Sequence, residues 1–205
     1  IKQTSYDQFY NEHIYVFSLL SVKNLLNKFN FEIFDVKNLS THGGSLRYYI
    51  KRKINKNLII KKSVKKQIDK EIQFGLSNFL TYKNFGVRSL INKNKLSNLL
   101  KKIKSKNSKI IGYGATAKAT TILNYCNIDK TIIDYFVDTT PEKQNKFMPG
   151  RNIQIYKYNK DLVEHADYIF LGAWNFKKEI FKKEKKFIKR GGKFITHVPI
   201  PKIIW

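Results

Sequence analysis

Apolar residues recur along this chain with helical and strand periods in turn. Within 18–29, Leu19, Leu20, Leu25, Leu26 and Phe29 form one stripe at helical spacing. Residues 31–36 then alternate as a strand, and 45–50 read as a second strand. Between them, Thr41-His42-Gly43-Gly44 is a turn, whose glycines admit positive φ. Helix and hairpin together resemble the end of a domain whose beginning lies elsewhere. Val64, Ile68, Ile72, Leu76 and Phe79 follow at helical spacing with charges between them, and Leu96, Leu99, Leu100 and Ile103 repeat the pattern. These helices read as a bridge between two domains.

From residue 107 the period switches repeatedly. Strands are expected over 109–112, 131–137, near Ile153, over 168–171 and over 193–197, with helices over 116–126 and 176–189. Gly191-Gly192 suits the left-handed position that closes the last helix. Such alternation predicts a mostly parallel, doubly wound sheet. The fold class is therefore α/β, with a Rossmann-like domain at 107–205, a helical linker at 57–106 and a helix-plus-hairpin remnant of another domain at 1–56.

The apolar runs are of strand length, too short for a membrane span, and the polar opening ten residues lack the apolar core of a secretion signal. One cysteine, Cys126, cannot form an internal disulfide or a cysteine cage for zinc, which predicts a reducing, cytoplasmic setting. The opening isoleucine suggests a fragment. Forty basic against fifteen acidic residues give a net charge of +25. That charge suits a nucleic-acid partner, but the lysines are spread among helical apolar positions, and no zinc finger, recognition helix or ribonucleoprotein motif accompanies them. They read as solvated faces that also attract a smaller anion, so neither nucleic acid nor membrane is expected as a specific partner.

Ile110-Ile111-Gly112-Tyr113-Gly114-Ala115-Thr116-Ala117-Lys118 joins an expected strand to an expected helix, the setting of a phosphate-cradling turn. Gly112 permits the tight turn, Gly114 lets backbone approach a phosphate, Ala117 keeps helix and strand close, and Lys118 adds charge. Asp138, about twenty residues beyond, is placed to accept a ribose hydroxyl. Trp174 and Asn175 follow a later strand and join the candidate nucleotide side, although Trp174 serves equally as core. Spacing alone leaves open a dinucleotide, a nucleotide sugar, or a turn whose glycines only pack.

A second cluster is Tyr6-Asp7-Gln8-Phe9-Tyr10-Asn11-Glu12-His13. Histidine titrates near neutral pH and a carboxylate can orient it, so Tyr10, Glu12 and His13 are candidates for proton abstraction. On spacing alone a solvated turn explains them as well. His13, His42, His165 and His197 show no paired-ligand spacing, and no metal site is expected in this chain.

Several stretches in one order resemble the S-adenosylmethionine-dependent sugar C-methyltransferases of deoxysugar biosynthesis. They are Tyr10-Asn11-Glu12-His13 with Phe17-Ser18, Thr41-His42-Gly43-Gly44-Ser45-Leu46-Arg47, the Gly112–Lys118 turn and Leu123-Asn124-Tyr125-Cys126. Asp134-Tyr135-Phe136-Val137-Asp138, Pro141-Glu142-Lys143-Gln144, Pro149-Gly150, Ala173-Trp174-Asn175-Phe176 and Gly191-Gly192-Lys193-Phe194 continue it. The resemblance implies that 1–56 ends a methyltransferase domain and that 107–205 helps to hold the nucleotide sugar. It places zinc, and most of the S-adenosylmethionine site, in an N-terminal portion outside this chain. The family's Tyr-x-Glu-His carries over to Tyr10, Glu12 and His13, with Asn11 where histidine or aspartate is usual.

The implied reaction methylates a carbon beside the keto group of a nucleotide-linked deoxysugar. His13 is the expected base, Glu12 orients it, and Tyr10 donates to the developing enolate or positions the sugar. Gly112, Gly114, Lys118, Asp138, Trp174 and Asn175 form the expected nucleotide side. The fragment is expected to be inactive alone. The alternative is an NAD-binding Rossmann oxidoreductase domain, which leaves the Tyr10–His13 cluster unexplained.

Overall fold

The computed structural model describes residues 1–205, the side chain of His42 excepted. It divides into two compact units, one of residues 15–84 and one of 1–14 with 85–205. These fall differently from the segments read from pattern. The opening fourteen residues pack with the C-terminal domain instead of with the helix and hairpin that follow them.

In the unit of 15–84, α1 (Leu19–Asn27) precedes the antiparallel hairpin of β1 (Phe31–Leu39) and β2 (Ser45–Arg52), and α2 (Lys62–Gln73) follows. Their apolar faces meet at Leu19, Ile33, Val36 and Val64. The first turn of α1 has unpaired N–H groups, as every helix start does. Ser18 and Ser21 cap it reciprocally. The buried Glu71 carboxylate of α2 accepts from Leu19 and Leu20 N–H at 2.9 Å each, which ties the two helices together. This small core leaves Phe29, Ile54 and Ile59 largely exposed.

The first helical stripe breaks at 74–78, after α2, and helix α3 (Phe79–Lys104) starts at its last member, Phe79, and runs on through Leu96, Leu99, Leu100 and Ile103. In the larger unit it is followed by β3 (Ile110–Tyr113), α4 (Ala117–Tyr125), β4 (Tyr135–Asp138), β5 (Ile155–Lys157), α5 (Lys160–Glu164) and β6 (Tyr168–Leu171). Then come α6 (Lys177–Lys183), α7 (Lys185–Lys189), β7 (Lys193–Thr196) and β8 (Lys202–Ile204). The six strands form one sheet in the order β5-β4-β3-β6-β7-β8, parallel throughout except for β8. This is the α/β, Rossmann-like, mostly parallel sheet that the alternation predicted.

The central strands are apolar on both sides because both sides are covered. Ile110, Phe136 and Phe170 face Leu96 and Leu100 of α3 and Ile122 and Leu123 of α4. Ile111, Val137, Ile169 and Leu171 face the other way, toward Val163, Ile180 and Phe187 of the later helices. The chain leaves β3 in one direction across the sheet and β6 in the other. Their carboxyl ends therefore flank the crevice where open α/β sheets hold ligands.

Two local expectations shift. The helix expected over 176–189 is broken at Glu184, whose buried carboxylate accepts the hydroxyls of Tyr113 and Tyr158 at 2.9 Å each. Strand β4 starts only at Tyr135, because Asp129 organises a turn by accepting from the N–H and hydroxyl of Thr131. Strand β8 has no counterpart in the pattern reading; its three residues are too few to carry a period.

Candidate active site

The glycine turn lies where the sequence placed it, but the glycines serve packing first. A Cβ on Gly112 would stand 2.3 Å from the Phe136 ring, and one on Gly114, at φ +85°, would stand 2.7 Å from the Ala173 Cβ. Gly172 is equally hemmed in, its added Cβ falling 2.2 Å from the Gly114 carbonyl oxygen. The ends of β3 and β6 are thus pressed together across the crevice. The residue that admits α4 this close is Ala119, fully buried near Gly172, whereas Ala117 faces a cavity. Thr116 ties the assembly. Its hydroxyl donates to the Gly172 carbonyl at 2.8 Å and accepts from Ala119 N–H at 3.1 Å, capping α4.

Asp138 holds the same turn from β4. Its Oδ2 accepts from Ala115 N–H at 2.6 Å and its Oδ1 from Thr140 N–H at 2.8 Å, with Lys143 Nζ 3.9 Å away. The carboxylate expected to meet a ribose is occupied with backbone in this structure.

The chain's own N-terminal segment packs against α4 and Trp174. Tyr6 lies against Tyr125 of α4 and its hydroxyl meets Cys126 Sγ at 3.6 Å. Asp7, wholly buried, accepts from the Trp174 indole N–H at 2.5 Å, and the buried His197 imidazole stands 3.4 Å from the same oxygen. That last contact lacks hydrogen-bond geometry. Burial pushes the Asp7 carboxyl up, but His197, the Trp174 N–H and Lys118 together hold it below the usual carboxylate range. Lys118 is buried with its Nζ 5.3 Å from the centre of the Trp174 ring, and burial lowers its ammonium against the pull of Asp7.

From this anchorage the chain runs into the Tyr10–His13 cluster. The Phe9 carbonyl accepts from Thr121 of α4 at 3.2 Å. Tyr10 Oη lies 2.9 Å from His13 Nε2, with the ring centres 4.0 Å apart at a tilt of 31°, and His13 Nδ1 lies 2.8 Å from the Gln8 carbonyl. A carbonyl can only accept, so Nδ1 carries a proton, and in the neutral ring Nε2 is left to accept from the Tyr10 hydroxyl. Burial, with the charges of Glu12 and Asp7, holds the Tyr10 phenol above its usual range. Tyr10 and His13 are therefore brought together. Glu12 is exposed and makes no hydrogen bond among the described residues; the group that holds His13 is the Gln8 carbonyl.

Beside this cluster opens a cavity of about 720 Å³. Phe9, Tyr10 and Asn11 form one wall, Ala115, Thr116 and Ala117 at the start of α4 a second, and Lys143, Lys146 and Phe147 a third. Asn124 latches the last wall to α4 by donating to the Thr120 and Pro149 carbonyls at 2.9 Å each. Gly112, Gly114, Lys118, Asp138, Trp174 and Asn175 do not line it. The two lysines were missed because nothing in the spacing separates them from solvated ones. Asp7 and His197 lie 190 residues apart in sequence, and no local pattern joins them.

Among the described residues no cluster of histidine, cysteine, aspartate and glutamate could hold a metal. No helix is long and apolar enough to cross a membrane among those residues. His42 belongs to the Thr41–Gly43 turn, but its side chain is outside the described residues.

The chain is 29% identical over 204 residues to the C-methyltransferase NovU of Streptomyces niveus, a match that covers 100% of this chain and 48% of that protein. It therefore spans about half the length of that relative, the C-terminal half. The family model described as the C-methyltransferase C-terminal domain matches residues 40–199, and this chain belongs to that C-methyltransferase family.

Proposed function

We propose that the chain is the substrate-holding and proton-abstracting half of an enzyme that transfers methyl from S-adenosylmethionine to a carbon next to the keto group of a nucleotide-linked deoxysugar. The observation that carries this is the shared cavity: Tyr10 of the Tyr-x-Glu-His segment and the first turn of α4 line the same space. The start of α4 and the ammonium groups of Lys143 and Lys146 suit a diphosphate, since unpaired N–H groups and the helix dipole favour an anion there. Phe9 and Phe147 offer exposed rings for a base or sugar face.

A carbon beside a ketone becomes nucleophilic only after its proton leaves. His13 Nε2 takes that proton. Nδ1–H stays on the Gln8 carbonyl, so the ring becomes an imidazolium without turning. The Tyr10 O–H that rests on Nε2 moves to the developing enolate oxygen, and the raised phenol keeps that proton available as a donor. Glu12 adds a negative charge near the imidazolium. S-adenosylmethionine supplies the methyl group. The donor site, like the zinc site of the resemblance, is assigned to the half of the protein that this chain does not cover. The exposed Phe29, Ile54 and Ile59 of the smaller unit agree with a larger core there. The NAD reading is disfavoured because it leaves the Tyr10–His13 pair unused and because the Asp138 carboxylate, which a dinucleotide's ribose would engage, accepts from the Ala115 and Thr140 N–H groups.

His13→Ala in the complete protein tests the reading. A positioned base contributes roughly 10²–10⁴-fold, so methyl transfer should fall by that factor while nucleoside diphosphate affinity is kept. Near-normal turnover would end the assignment.

A further inference from the structure

The Tyr10–His13 pair hangs from a buried polar cluster that the proposed chemistry does not use. Asp7 and His197 are fully buried, and Trp174 nearly so. Neither His197 ring nitrogen has a hydrogen-bond partner among the described residues, and the Asp7 carboxylate is the charge it faces. The other groups packed around it are rings: Phe170 stacks on it at 5.7 Å, with Tyr6 at 6.4 Å and Trp174 at 6.5 Å. The Asn92 amide grips the adjoining backbone by donating to the His197 and Pro199 carbonyls.

Such a cluster is a poor way to gain stability. Taking a carboxylate out of water costs several kcal/mol, and apolar residues of similar volume often serve as well or better. A buried carboxylate held by a directed indole hydrogen bond does something an apolar plug cannot: it fixes one rotation and one register. Asp7 is the residue fixed here, and its neighbour is Gln8, whose carbonyl lies 2.8 Å from His13 Nδ1.

We propose that Asp7 is a positioning residue for His13. Clamped by the Trp174 indole and paired with the His197 imidazole, it sets the Gln8 carbonyl, which in turn holds His13 as the Nδ1–H tautomer with its Nε2 lone pair toward the Tyr10 hydroxyl. Without the clamp the turn of residues 6–8 rotates, the carbonyl leaves Nδ1, and the imidazole proton redistributes between the two nitrogens. Trp174, read from sequence as a nucleotide contact or core filler, acts on the base through Asp7. The inference rests on the proposed role of His13 in proton abstraction, but its structural half can be read without turnover.

The test uses the complete protein with histidine labelled with ¹⁵N, as wild type, Asp7→Asn and Trp174→Phe. Trp174→Phe removes one N–H while keeping a ring and the Asp7 charge, so it decides the matter if Asp7→Asn does not fold. The His13 imidazole, identified by its loss in His13→Ala, should show the Nδ1–H tautomer in wild type and a mixture or the Nε2–H form in the variants. A misplaced catalytic group costs up to about 10²-fold, so kcat should fall by about tenfold or more while KM for the nucleotide sugar stays within about twofold. A folded variant that retains the wild-type tautomer overturns the proposal, as does a fall in kcat matched by an equal rise in KM. A His13→Ala enzyme that keeps turnover would instead overturn the base assignment, and the tautomer shift would stand.

Discussion

Gly112 and Phe136 are packed so that the Phe136 ring occupies the space a side chain on Gly112 would need, with ring carbons 2.3–2.4 Å from an ideal Cβ. Those atoms belong to a fully buried phenylalanine in the middle of the sheet, so the ring has nowhere to swing. Gly112→Ala should therefore cost about 1–3 kcal/mol as overpacking, measured by urea unfolding. The folded fraction should bind a nucleoside diphosphate as the wild type does, because Gly112 does not line the cavity. Lost affinity at unchanged stability would return Gly112 to the phosphate.

Lys143 and Lys146 are the ammonium groups on the cavity rim. Removing both, as Lys143→Ala with Lys146→Ala, should weaken nucleoside diphosphate binding by about tenfold at low salt. The difference should shrink toward physiological ionic strength, where exposed charges are screened beyond roughly 8 Å. Calorimetric titration at two salt concentrations reads both effects, and an unchanged affinity would move the diphosphate elsewhere.

Much of this fold is legible in the sequence because its strands are short apolar runs buried on both faces and separated by amphipathic helices. The Ile110–Lys118 turn is legible for the same reason: strand, glycines and helix are contiguous. What is not legible is how distant segments share a site. Asp138 looks like a ribose ligand by spacing, yet it ends β4 close enough to Ala115 N–H for backbone to claim it. Trp174 meets Asp7 only because the opening residues fold back onto the sheet's carboxyl edge, a tertiary event without periodicity. Glu12 sits next to His13 in sequence, but adjacent residues project differently, and a carbonyl five residues upstream reaches the ring instead.

The Asp7 cluster makes a prediction in acid. The Asp7 carboxyl is held below its usual range in the folded protein, so its ionised form favours folding. A depressed folded value contributes stability that is fully present above the unfolded value of about 3.9 and is lost as pH falls through the lower folded value. Asp7→Asn should therefore be less stable than wild type at neutral pH, by about 1–3 kcal/mol for a lost charged hydrogen bond. The gap should begin to narrow as pH falls below about 4 and close below the lower folded value. Urea midpoints at a series of pH values test this, and a gap that persists undiminished in acid would assign the loss to shape instead of charge.

Asp138 allows bracing and ribose recognition to be separated. Its two oxygens receive N–H groups from opposite directions, Ala115 and Thr140, and an asparagine can offer an acceptor to only one of them. The other N–H then confronts an NH₂ group, which should cost about 1–3 kcal/mol of stability and loosen the start of α4. If the carboxylate acts only through that turn, Asp138→Asn should weaken a nucleoside diphosphate and its analogue lacking a ribose hydroxyl by the same factor. The ratio of the two affinities would then be unchanged from wild type. Loss of discrimination confined to the nucleotide with its full hydroxyl set would show the carboxylate reaching the ribose through a remaining lone pair. Paired titrations of wild type and Asp138→Asn with both nucleotides give the two ratios directly, and bracing alone requires them to be equal.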